Sequence, residues 1–193
     1  MAENNKVRYG LRNAHFAPYK MVDGAPVYET PIPIPGSVEL SLEPRGDLLE
    51  FPADDMMYFV SPNNEGYDGT LTVALIPTSF AEKCLGEIKD TDFVHEFADA
   101  ESQEFALQFE FQGDKKAIRH TMFNCSASRP TINGTTGKTE VNTTELVFVA
   151  SPLDVNGKRH VKTKTHEETT AEVYDAWYTE IQGLGLESSP AGA

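Results

Sequence analysis

The chain predicts a mainly β fold: a β-sandwich or open barrel with one or two short helices and a long extended loop. Three observations carry this. In residues 104–112, Phe105, Leu107, Phe109 and Phe111 alternate with Glu104, Ala106, Gln108, Glu110 and Gln112, the period of a strand with one apolar and one mostly polar face. Gly113-Asp114 then breaks the run, and residues 115–125 return with Ile118, Thr121 and Phe123, which reads as an antiparallel hairpin. An isolated hairpin is marginal in water, so a second sheet or a helix must cover the Phe face. The Glu/Gln face is expected to look at solvent.

In chain order, residues 1–36 read as an arm followed by a strand and a connector. Aromatics lie among small residues in 7–19, and the alternating prolines Pro31, Pro33 and Pro35 force an extended, stiff connection. Residues 37–43 (SVELSLE) form a strand with Val38, Leu40 and Leu42 on one face and Glu39, Ser41 and Glu43 on the other; Pro44 is expected to end it. Residues 44–69 are a long connection rich in Pro, Asp, Asn and Gly, in which only 56–60 has strand character. Connections of this length are usually functional or mobile. This one also carries Leu48, Leu49, Phe51, Met57, Tyr58 and Phe59, which must be covered by another subunit or by the chain's own sheet.

Residues 70–76 (TLTVALI) form the next strand, with Leu71, Val73 and Leu75 aligned. Ser79 with Glu82 makes a capping box for a short helix that Gly86 stops, its Phe80 and Cys84 closing one end of the Phe face. A short strand at 93–98 leads to the main hairpin. After it come a turn-rich 129–138, a strong strand at 140–150 and a basic turn and strand at 155–165 around Asn156-Gly157. A second short helix starts at Thr169, with Glu172 at capping-box spacing and Val173, Trp177 and Ile181 on one side. Residues 183–193 have little reason to be ordered.

The length of 193 residues suits one domain, 1–182, and 39% hydrophobic against 24% charged residues supports a core of normal size. Sixteen Lys plus Arg against 30 Asp plus Glu give a formal charge of −14, which argues against gripping nucleic acid or an anionic membrane. The first residues lack the apolar stretch of a signal peptide, and no run approaches a membrane span. Cys84 and Cys125 are therefore expected as reduced thiols.

Chemistry-bearing patterns fail one by one. Residues 134–139 (GTTGKT) end like a phosphate loop, but Ile132 stands where its first glycine belongs and no helix follows. His95-Glu96 and His166-Glu167 lack the second histidine of a zinc motif, with Asp99 and Thr170 in its place. Residues 154–157 lack a calcium ladder, and Asp54-Asp55 point apart. His120 and Cys125, five residues apart on one strand, are expected on opposite faces, and His15 and His160 read as packing or surface residues. No catalytic, cofactor-binding or metal residue is assigned, and no enzyme is expected.

The order of pieces nonetheless has a likeness. VELSLEPRGDLLEFPADDMMYFV, NNEGYDGTLTVALIPTSF with LGE, and FALQFEFQGDKKAIRHTMFNCSASRP, flanked by VRYGLRNAHFAPY and VYDAW, together resemble the major tail (tail tube) proteins of long non-contractile phage tails, in the branch typical of Gram-positive hosts. The resemblance spans residues 7–177. It implies a virion subunit made in the host bacterial cytoplasm, which forms hexameric rings stacked head to tail into a tube for DNA ejection. It implies as partners further copies of the chain, a tape measure protein inside the bore, tail terminator and distal tail proteins at the ends, and DNA passing without adhesion. Glu39, Glu104, Gln108 and Glu110 become candidates to face the lumen. Arg45, Asp47, Leu48, Leu49, Phe51, Met57, Tyr58, Phe59 and Tyr67 become candidates for an inter-ring or inter-subunit loop, mobile in the monomer and ordered on polymerisation. Two other readings stand beside this one. One is a terminator or connector that forms a single ring. The other is a stand-alone sandwich that binds carbohydrate or a host surface through Tyr67, Tyr58 and Phe51.

Overall fold

The computed structural model describes residues 5–53, 55–132, 134, 136 and 141–185. Its frame is a large antiparallel sheet. The chain opens with β1 (Arg8–Val22), turns at Asp23-Gly24 into β2 (Ala25–Tyr28), and lays β3 (Ile32–Pro33) beside β1. β4 (Ser37–Arg45) leads to a separate ribbon of β5 (Leu49–Ala53) and β6 (Met56–Ser61), and β7 (Gly66–Val73) returns along β4. Helix α1 (Thr78–Cys84) and a small ribbon of β8 (Ile88–Lys89) and β9 (Val94–His95) follow. The central hairpin is β10 (Phe105–Gly113) with β11 (Ile118–Ala127), succeeded by β12 (Thr144–Ala150), β13 (Leu153–Val155), β14 (Lys158–His160) and β15 (Lys162–Lys164). The chain closes with α2 (Ala171–Asp175) and a 3-10 turn (Ala176–Tyr178). In space the strands run β2-β1-β10-β11-β12-β7-β4, with β15 also on β11 and β3 on β1. The sheet curls until β4 lies against β1, so one face encloses the core.

The alternation of residues 104–112 is what builds that core. Phe105, Leu107 and Phe109 are buried with Phe16 of β1, Leu71 and Val73 of β7, Met122 and Cys125 of β11, and Leu146 and Phe148 of β12. Phe80 of α1 fills one end, edge-on to Phe16 at 4.9 Å and to Phe105 at 5.1 Å. Removing such a ring from a packed core costs about 3–5 kcal/mol, so Phe80 anchors the helix. A second cluster on the outer face gathers Tyr19, Phe123, Leu153 and Val155. Both cysteines are free and buried. Burial pushes the Cys84 thiol up to about 12 and the Cys125 thiol higher still.

Several expectations need correction. Residues 8–22 are more than an arm: they make the longest strand, paired along β10, with register shifts at positive-φ Gly10 and Asn13. β4 runs through Pro44 to Arg45, and a bulge near its start turns Val38 out to 59% exposure. β7 begins at Gly66 and stops at Val73, so Leu75 is exposed. Neither helix forms its capping box: Pro77 and Thr170 take the N-cap positions, with no side-chain cap bond. The strand expected at 93–98 shrinks to β9. β12 begins at Thr144, and the expected residues 140 and the phosphate-loop look-alike at 135 and 137–139 lie outside the described residues. Trp177 is buried, but Val173 is 40% exposed. Finally, β11 carries one extra residue between Met122 and Cys125 opposite β10. That bulge puts His120 and Cys125 on the same inner face, with Met122 between them in the row.

Candidate functional site

The loop candidates gather on the β5–β6 ribbon. Phe51 pairs with Phe59 and Leu49 with Ser61, while Glu50 opposite Val60 belongs to the other face. Leu48, Leu49, Phe51, Met57, Tyr58 and Phe59 are 50–71% exposed. Apolar side chains therefore cover both faces, and the ribbon pairs with no other strand among the described residues. It does not fold back on its own sheet. Its base, by contrast, is locked. Gly46 and Gly66 have φ of +110° and +99°, and a Cβ at either would come within 2.2 Å of Asn63 O and 1.9 Å of Ala150 O respectively; only glycine serves there. Glu65 N donates to Arg45 O at 3.1 Å, Gly66 N to Asn64 Oδ1 at 3.1 Å, and Arg45 approaches Asp68 at 3.5 Å. Asp47 is exposed beside this base. Tyr67 stands apart from the ribbon: it is half-buried in β7, and its hydroxyl accepts from Lys162 Nζ at 2.5 Å.

β4 has one strand partner, β7, among the described residues, and its other side faces β1 without strand pairing. Pro44 and the outward Glu39 and Glu43 are residues that natural sheets use to discourage indiscriminate edge pairing.

The four lumen candidates divide. Glu39 and Glu104 are exposed, whereas Gln108 and Glu110 are 1% and 6% exposed. The expectation that the polar face of β10 meets solvent is thus corrected. α2 and the 3-10 turn lie over it. Glu110 Oε2 meets Arg119 Nε at 3.1 Å and accepts from the Tyr178 hydroxyl at 3.2 Å, while its Oε1 accepts from Asn13 Nδ2 at 2.7 Å. Burial, with Glu110 beside it, pushes the Tyr178 phenol well above its usual range, which keeps it a donor. The Arg119 guanidinium lies 3.7 Å over Tyr174 and 4.9 Å from the Tyr178 ring centroid, and donates to Tyr174 O. His15 stacks on Tyr178 at 4.5 Å. Gln108 Nε2 donates to Trp177 O at 2.6 Å. A buried carboxylate with this many donors is structural, fastening the C-terminal segment to the sheet. Sequence reading missed this clasp because the partners of Glu110 lie up to 97 residues from it along the chain; the spacing of Tyr174 and Tyr178 on one helical side was the available signal.

No group of His, Cys, Asp and Glu able to hold a metal occurs among the described residues. No described helix is long and apolar enough to cross a membrane.

Neither a family model nor a curated protein matches the chain. Among solved structures it is similar to the tube-terminating cap of an anti-feeding prophage, with a TM-score of 0.49 and 13% identity, covering 86% of this chain and 97% of that one. So slight a likeness assigns neither fold nor role.

Proposed function

We propose that the chain is a self-assembling structural protein of a phage tail, the subunit of its tube. The carrying observation is the β5–β6 ribbon, apolar on both faces, exposed, and held out from the sheet by a locked base. Contiguous exposed apolar surface on a soluble chain marks an interaction site, and a two-stranded ribbon alone is marginally stable. Another copy of the chain supplies the cover. A contact between a protrusion and a different surface of the next copy is heterologous, so it yields a ring where the rotation closes and a filament where it does not. The resemblance of the ordered segments to tail tube proteins supplies the setting: hexameric rings stacked around a bore that holds the tape measure protein and then passes DNA, with terminator and distal tail proteins at the ends. Glu39 and Glu104 remain the candidates for an anionic lining, consistent with a net charge of −14, because like charge keeps phosphates from adhering. Glu110 and Gln108 are engaged inside the subunit and drop out of that role.

Negative-stain microscopy of the concentrated protein tests this reading. Tubes or stacked rings are expected. Single rings that never stack would make it a terminator or connector, and a monodisperse monomer would favour the stand-alone binder.

A further inference from the structure

The two ends of the β10 strand carry surfaces of opposite character. From Phe105, beside α1, to Phe111 is six residues, about 20 Å of strand. At the Phe105 end the β8–β9 ribbon exposes Ile88, Phe93, Val94 and Phe97 by 44–66%. Its shape is fixed. The Asp90 carboxylate accepts from Asp92 N at 2.8 Å, Phe93 N at 2.7 Å and His95 Nε2 at 3.0 Å, and Arg129 ties it down through Glu96 at 3.0 Å and Phe97 O at 3.0 Å. Along residues 87–101, Glu87, Asp90, Asp92, Glu96, Asp99 and Glu101 outnumber the two cations there, Lys89 and the Arg129 that pairs with Glu96.

At the Phe111 end a groove of about 220 Å³ opens between β4 and β11. Leu40, Leu42 and Phe111 form its apolar walls above the buried Phe109 and Met122, Arg8 and Lys162 rim it, and no carboxylate lines it. Lys164, opposite His120 on β11, extends the basic side. The groove is smaller than the roughly 300 Å³ at which small-molecule sites begin, a size for protruding side chains. In a chain of charge −14, an acid-free groove with a cationic rim has its complement on the same molecule, at the other end.

We propose that the aromatic β8–β9 ribbon of one copy docks end to end against the Arg8–Lys162 groove of the next, apolar side chains on the floor and carboxylates on the basic rim. The contact is heterologous and fixes the direction of growth. It rests on the reading of the chain as a self-assembling subunit, and it assigns that assembly a second pair of surfaces besides the β5–β6 ribbon.

The test is charge exchange, read as the critical concentration for elongation by sedimentation at low salt. Asp92→Lys with Glu96→Lys, and separately Lys162→Glu with Lys164→Glu, are each expected to raise it by roughly tenfold or more. A 1:1 mixture of the two variants, or all four substitutions in one chain, restores opposite charges across every contact and is expected to recover elongation. The milder Asp92→Asn, in the exposed turn between β8 and β9, is expected to shift it the same way by a smaller factor. Elongation of these variants at the wild-type concentration, or no recovery on mixing, would overturn the docking while leaving the tube reading intact. Failure of the wild type to assemble would remove both. Binding of a short DNA duplex lost on Lys162→Glu, with elongation unchanged, would give the groove another occupant and likewise overturn the assignment.

Discussion

His120 lies face to face with Phe109, ring centroids 5.1 Å apart at 4°, and edge-on to Phe111 at 5.6 Å. Burial first, then the nearby Lys162, Lys164 and Arg8, lower its pKa to about 4. Between that value and the ordinary 6.5 the unfolded chain binds a proton that the folded chain refuses. Stability therefore rises with pH across this window: the contribution is complete above about 6.5 and is lost as pH falls towards 4, amounting to at most about 3 kcal/mol. Urea unfolding at pH 4.5 and pH 7 should show a smaller pH dependence in His120→Gln than in the wild type; equal dependence would contradict this account. At the same scale, Glu110 shows how far periodicity reaches. Alternation correctly put it opposite Phe109, but whether that face meets solvent is decided by Tyr174, Trp177 and Tyr178, and nothing local to β10 announces them.

Elements with uninterrupted alternation were the legible ones. β10, the Leu71–Val73 part of β7 and β12 follow from period two, and the turn at Asn156-Gly157 joins β13 to β14 as its residue types require. β1 was hidden because Gly10 and Asn13 each slip its register against β10 and break the pattern. β5 was hidden by Pro52, where its pairing with β6 also slips. The ribbon they conceal is the element with most surface and least support, and its side chains add little to the monomer. Phe51→Ser with Phe59→Ser removes one exposed cross-strand pair, worth about 0.2–1 kcal/mol. The melting temperature of the monomer should thus fall by no more than about 4 °C, while assembly is lost. A variant that unfolds many degrees lower, or assembles normally, would show that the ribbon serves the subunit's own fold.

At the scale of the molecule, the chain packs its apolar side chains into one main core and leaves apolar surface exposed at the β5–β6 and β8–β9 ribbons, with a cation-rimmed groove between β4 and β11. Composition announced the overall charge, but that Lys162 and Lys164 gather beside His120 needed the strand register. If another copy of the chain completes the β5–β6 ribbon, its backbone amides exchange differently in the free subunit and in the assembly. Hydrogen exchange of residues 49–53 and 55–61 should show weak protection in the free chain and strong protection on assembly; equally strong protection in both would mean that the ribbon needs no second copy.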